Sequence, residues 1–94
     1  MEMNPESFMA AANGTKVQNT TSTASTLNAA GLFFPEDTVV TSLKVNGAAV
    51  DIKANYISTA ATAVKANVTL TAKGDDYFSE ITFSSGSCVE ILRS

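Results

Sequence analysis

Apolar and polar positions alternate most cleanly over residues 38–57. Residues 38–45 (TVVTSLKV) and 48–57 (AAVDIKANYI) flank Asn46-Gly47, and an Asn-Gly pair favours a two-residue type I′ turn because both turn positions need positive φ. Pairing Val45 with Ala48 sets Leu43 opposite Val50, Thr41 opposite Ile52 and Val39 opposite Ala54 on one face. The other face carries Lys44, Ser42, Val40, Ala49, Asp51 and Lys53. One apolar and one mostly polar face is what a half-buried antiparallel pair requires, so the pattern predicts a hairpin here. Further on, Val64, Ala66, Val68 and Leu70 alternate with Lys65, Asn67, Thr69 and Thr71, which predicts another strand. Residues 73–76 (KGDD) read as a turn. Tyr77 to Phe83 follows as a strand with Tyr77, Ile81 and Phe83 on one side, then a turn at 84–87 (SSGS). Cys88 to Arg93 closes the chain as a strand with Val89 and Ile91 inward. Strands about ten residues apart predict an all-β fold, a small antiparallel β-sandwich or barrel.

The first third of the chain carries a weaker pattern. Asn4 suits a helix N-cap, Pro5 the first helical position and Glu6 the positive end of the helix dipole, while Asn13-Gly14 supplies a stop. Two turns of helix are too few to persist alone, so this segment needs something to pack on. Residues 15–31 are polar and low in complexity, with Val17 and Leu27 the large apolar side chains, and read as a flexible arm or a weak edge strand. The chain therefore divides into a short N-terminal helix or arm over residues 1–31 and a β-domain over residues 32–94.

Composition sharpens this picture. Ninety-four residues make one domain. Alanine supplies 14 of the apolar positions, against 17 for Leu, Ile and Val together, so the core is thin and gains from reinforcement. Cys88 is the single cysteine and there is no histidine, which removes an internal disulfide and leaves carboxylates alone for a zinc site. Self-association is the remaining route. The net charge of −3 and six scattered basic residues argue against nucleic acid and anionic membranes as partners. The N-terminus lacks the basic start and apolar run of a signal peptide.

No catalytic constellation stands out, and the chain reads as a non-enzyme without cofactor or metal. Ser-His and Cys-His systems need the missing histidine. Glu36-Asp37 and Asp75-Asp76 read as solvated turn residues rather than calcium ligands, and Cys88 as a small gap-filling side chain in a strand. The sequons at Asn13, Asn19 and Asn67 and the Lys73-Gly74-Asp75 triplet are explained by composition and by a turn. Consecutive aromatics are more telling. Along a two-faced strand, Leu32, Phe33 and Phe34 cannot all enter one core, nor can both Tyr77 and Phe78. An outward aromatic marks an interface, so Phe8, Leu32, Phe33, Phe34, Tyr77 and Phe78 are the candidate contact residues.

Residues 13–17 (NGTKV), 36–40 (EDTVV), 42–47 (SLKVNG) and 83–87 (FSSGS) together resemble small tailed-phage virion proteins of the capsid decoration (cement) or head-fibre type. The likeness covers roughly residues 13–93 and lies in composition and rhythm. It implies a dimeric or trimeric β-module on the outer capsid surface of a virion, a homo-oligomer that clamps the major capsid protein. Two other readings remain: a phage tail or fibre component, and a bacterial surface module of Ig-like kind. A further one is filament formation, in which one copy's arm completes another copy's open strand edge.

Overall fold

The computed structural model describes residues 14–58 and 62–93. Its six strands are β1 (Thr15–Gln18), β2 (Ser25–Phe34), β3 (Val39–Val45), β4 (Val68–Thr71), β5 (Phe78–Ser85) and β6 (Cys88–Leu92), with a 3-10 turn at Lys53–Asn55. The protein is all-β. The strands form one antiparallel sheet in the order β1-β6-β2-β5-β3, with β4 also on β2. The N-terminal helix expected at residues 1–12, and Phe8 with it, lies outside the described residues.

β2 organises the sheet. It pairs β5 through Ser25, Thr26 and Ala29, and β4 through residues 31–34. β6 pairs it at Ala29 and residues 31–33. A register shift falls between Ala29 and Gly31. That extra residue reverses which side chains point inward. Leu27 and Ala29 before it and Leu32 and Phe34 after it are therefore all buried, although their spacing changes from odd to even positions. Residues 15–31, expected as a flexible arm or a weak edge strand, divide in two: β1 is such an edge strand, but residues 25–31 are the first part of the central strand, and the boundary expected after Gly31 falls inside β2. Small residues concealed the strand, because Ala29, Ala30 and Gly31 fill the positions where neighbouring strands approach closely. A methyl group on Gly31 would lie 3.1 Å from the Leu70 carbonyl oxygen.

The Asn46-Gly47 turn forms as expected. Both residues have positive φ, 56° and 73°, and the Ala48 N–H donates to the Val45 carbonyl at 2.9 Å. The returning strand does not form. Asp51 Oδ1 accepts the Leu43 N–H at 2.9 Å and the Lys53 N–H at 2.8 Å, so a side chain takes the place of a ladder carbonyl and nucleates the 3-10 turn. These bonds, that from Leu43 first, hold the Asp51 carboxyl below its ordinary 3.8. Val50, expected inward, is 68% exposed. Residues 51–57 become a strap whose Ile52, Tyr56 and Ile57 cover the core, with the Tyr56 ring edge-on to Phe78 at 5.0 Å. β3 pairs β5 instead. β4 begins only at Val68, because Asn67 turns the chain at φ 70°. Of the expected inward set Val64 and Leu70 reach the core, while Ala66 and Val68 are exposed.

β5 and β6 reverse two sequence expectations. A register shift between Lys44 and Val45 leaves Ser79 as the extra residue on β5. Phe78, not Tyr77, then shares the core face with Ile81 and Phe83. In β6, Cys88 and Glu90 point inward at 0% and 2% exposure, while Val89 and Ile91, expected inside, are half-buried on the other face.

Residues 86–87 alone join β5 to β6, although these strands flank opposite edges of β2. So short a connection requires the sheet to fold over on itself. Buried Thr38 pins the corner. Its hydroxyl reaches the carbonyls of Ser87 (2.9 Å) and Glu36 (3.0 Å) and accepts the Ser87 N–H, and its backbone makes two bonds with Val64. Gly86 lies against it at φ 95°.

Candidate interaction surfaces

The outward face of the sheet has two halves of different chemistry. In the first, Val17, Val89, Phe33 and Thr69 are cross-strand partners in one row over β1, β6, β2 and β4. The rows beside it contain Cys88 and Phe34, and Glu90 and Leu32, all buried. Side chains alternate along a strand, so the Val17 row points away from the core. Val17 is 63% exposed, and Phe33, Val89 and Ile91 are half-buried. This makes a small apolar stripe rimmed by Thr15, Thr69 and Thr71.

In the second half, Thr26, Glu80 and Lys44 form a row across β2, β5 and β3. Lys44 and Glu80 form an ion pair at 2.8 Å. With Ser79, Gly47, Ala48 and Ala49 these residues line a shallow open groove of about 300 Å³. Tyr77 lies near Gly47, where an added methyl group would sit 3.8 Å from its hydroxyl oxygen. The Arg93 guanidinium stacks on the Tyr77 ring at 4.1 Å. Asn46 locks the arrangement. Its N–H donates to the Tyr77 carbonyl at 2.9 Å, its Oδ1 accepts the Tyr77 N–H at 3.0 Å, and its Nδ2 donates to Asp76 at 2.8 Å.

Of the expected contact residues, Leu32, Phe34 and Phe78 are fully buried in the core and offer no surface. Phe33 and Tyr77 are the outward members of their runs, one on each half of the face. Arg93, Val17 and Val89 were not among the expected contacts. The alternation of β6 revealed two faces there, but hydrophobicity assigned them in reverse.

Both ends of the sheet are blunted against pairing. Lys16 sits in the middle of the exposed edge strand β1, where a second copy's β1 would bring like charges together. Asp51 and Ile52 occupy Leu43's backbone groups on the edge of β3.

Chemistry in the interior is quiet. No group of three or more His, Cys, Asp or Glu side chains able to hold a metal occurs among the described residues. Burial, with the Glu90 charge nearby, pushes the Cys88 thiol from its ordinary 9.0 up to about 12. At pH 8 its thiolate is then about a thousandfold scarcer than in the unfolded chain. Labelling of Cys88 with iodoacetamide is expected to be slow in the folded protein and fast in urea, and mass spectrometry of reagent-treated samples over time checks it. The raised value also favours the unfolded state once it ionises, so stability falls as pH rises from about 9 towards 12. No protein-family model, curated protein or solved structure matches the chain.

Proposed function

We propose that this protein is a structural subunit that docks on a larger protein lattice through the outward apolar stripe of β1, β6 and β2. The lattice is a phage capsid, the direct partner its major capsid protein, and the docked form a dimer or trimer on the virion surface. The observation that carries this reading is the row of Val17, Val89 and Phe33, exposed or half-buried on the outward face of the sheet. A stripe of this kind is stabilised when a partner covers it. Lys16 and Asp51 at the sheet edges favour contact through the face rather than by strand addition. A thin-cored domain gains stability from its bound state, and repeated weak contacts over a lattice add through avidity.

Co-sedimentation with empty capsids of the phage encoding the chain tests the proposal. Wild-type protein is expected to bind to a fixed stoichiometry. Phe33→Asp is expected to weaken binding at least about tenfold, a loss of roughly 1.4 kcal/mol. Val17→Asp, at a more exposed position, should weaken it with an unchanged thermal transition. Absence of wild-type binding, or full binding by both variants, overturns the reading.

A further inference from the structure

We infer that the outer edge of β4 pairs with the β4 of a second copy of this chain, antiparallel about a two-fold axis. The inference specifies how two copies meet and does not depend on the capsid reading. β4 pairs β2 and lies off the path whose ends, β1 and β3, are blunted. Alternate residues of an antiparallel strand turn their backbone groups to opposite sides. The Ala72 N–H donates to the Ala30 carbonyl at 3.0 Å, and the Leu70 carbonyl oxygen lies against Gly31, so Leu70 and Ala72 face β2. Thr69 and Thr71 therefore turn their N–H and carbonyl groups to the outer edge, where no described residue bonds to them. Val68, Thr69 and Thr71 are exposed. The strand carries neither a charge nor a proline, so nothing guards this edge as Lys16 guards β1.

The edge itself selects a second copy as its occupant. It is short at both ends: the Tyr56 hydroxyl accepts the next outward amide, that of Lys73, at 3.0 Å, and Asn67 turns the chain at φ 70°. A longer strand finds no further ladder groups there, whereas another β4 offers the same two residues. A two-fold register sets Thr69 opposite the second copy's Thr71, and Thr71 opposite the second copy's Thr69. That register closes four backbone hydrogen bonds and leaves no outward group of these residues unpaired. Leu70, half-buried against the core, then meets the second copy's Leu70 on the inner face. Threonine meets threonine on the outer face, a favourable cross-strand pair. Lys73, the nearest charge after the strand, falls opposite the second copy's Asn67 rather than its own counterpart. Phe33 is the cross-strand partner of Thr69, so the pairing also brings the two copies' apolar stripes onto one continuous face.

Sedimentation equilibrium of the full chain tests this. So short an edge makes a small interface, and a dimer with a Kd of about 100 µM is expected. Thr71→Pro removes an outward N–H and no bond to β2. It should weaken the dimer at least about tenfold while leaving the NMR spectrum of the core unchanged. Thr69→Lys combined with Thr71→Lys sets lysine against lysine and should weaken it as much, whereas Thr69→Glu combined with Thr71→Lys sets opposite charges together and should keep it. Hydrogen exchange gives a second readout. The Thr69 and Thr71 amides should be protected at about 1 mM protein and exchange freely at about 10 µM, while the Leu70 amide stays protected at both. A monomer up to about 1 mM, or a dimer that Thr71→Pro or the lysine pair leaves intact, overturns the inference. So does equal loss in the two charged double variants. Protection of both threonine amides at every concentration, as a strand of the same chain on this edge would give, also overturns it.

Discussion

Gly86→Ala is expected to cost about 4 kcal/mol of folding stability. Two independent effects add at this position. At φ 95° an L side chain is strained by roughly 1–3 kcal/mol. The added methyl would also meet the Thr38 side chain, and would sit 2.7 Å from both the Asp37 carbonyl oxygen and Thr38 Cα. Backbone atoms cannot rotate away, so relief requires the corner to open, at a typical overpacking cost of about 1–3 kcal/mol. A domain of this length holds about 5–14 kcal/mol in total, so the variant should lose a large part of its urea midpoint or fail to fold. Adding Thr38→Ala would remove the hydroxyl clash but neither backbone contact, and would unpair the buried Ser87 N–H. The double variant is therefore expected to recover none of the loss. A wild-type midpoint for Gly86→Ala would show that residues 86–87 have room, and that the sheet does not close there as described.

Glu90→Ala is expected to cost about 3 kcal/mol. Glu90 is 2% exposed and forms no ion pair among the described residues. Lys16 is its cross-strand partner on β1 but is exposed. Its oxygens instead accept the Asn28 N–H at 2.7 Å and Gln18 Nε2 at 3.0 Å. The carboxylate therefore links β6 to both neighbours, and it serves Asn28 close to the point where β2 shifts register. Truncation leaves these donors unmatched and opens a void under β1, and the two terms together give the expected size. Glu90→Gln keeps one carbonyl oxygen for the Asn28 N–H, and the Gln18 amide can turn to suit the new group, so its cost should be about 1 kcal/mol. Chemical denaturation of the three proteins checks the order. Hydrogen exchange should further show β1 amides losing protection before those of β3. Equal losses for Ala and Gln would mean that the charge, rather than the acceptor geometry, holds the strands.

The same two residues show where sequence reading stops. Glu90 lies in a stretch whose period of two was plain, yet hydrophobicity alone placed Val89 and Ile91 inside. What overrode it was the register with β2, which sets Glu90 beside buried Leu32 and Val89 beside outward Phe33. Tyr77 lost its inward place for a related reason, since one bulged residue at Ser79 hands the core position to Phe78. The candidate site was half legible. A run of adjacent aromatics forces one member outward on each strand without saying which, and the register settled it as Phe33 and Tyr77. Arg93 gave no local signal, because its stacking partner lies 16 positions away in the chain.

By itself the sequence determined the all-β class, the Asn46-Gly47 turn, the turn at residues 73–76 and the approximate course of β3, β5 and β6. Each follows from interactions within a few residues: positive φ at Asn-Gly, alternation along one strand, and breakers at fixed places. Tertiary structure alone decided the rest. It made residues 25–34 the central strand despite their small side chains, turned the return of the hairpin into a strap through Asp51, and paired β3 with distant β5. It also set which face of β6 is buried. The Asp51 strap rests on bonds to Leu43 and Lys53 nearby in the chain, which alternation does not register; the other outcomes depend on bulges and on pairings between residues about 30 to 70 positions apart, and a period read along one segment carries no information about the strand that will lie beside it.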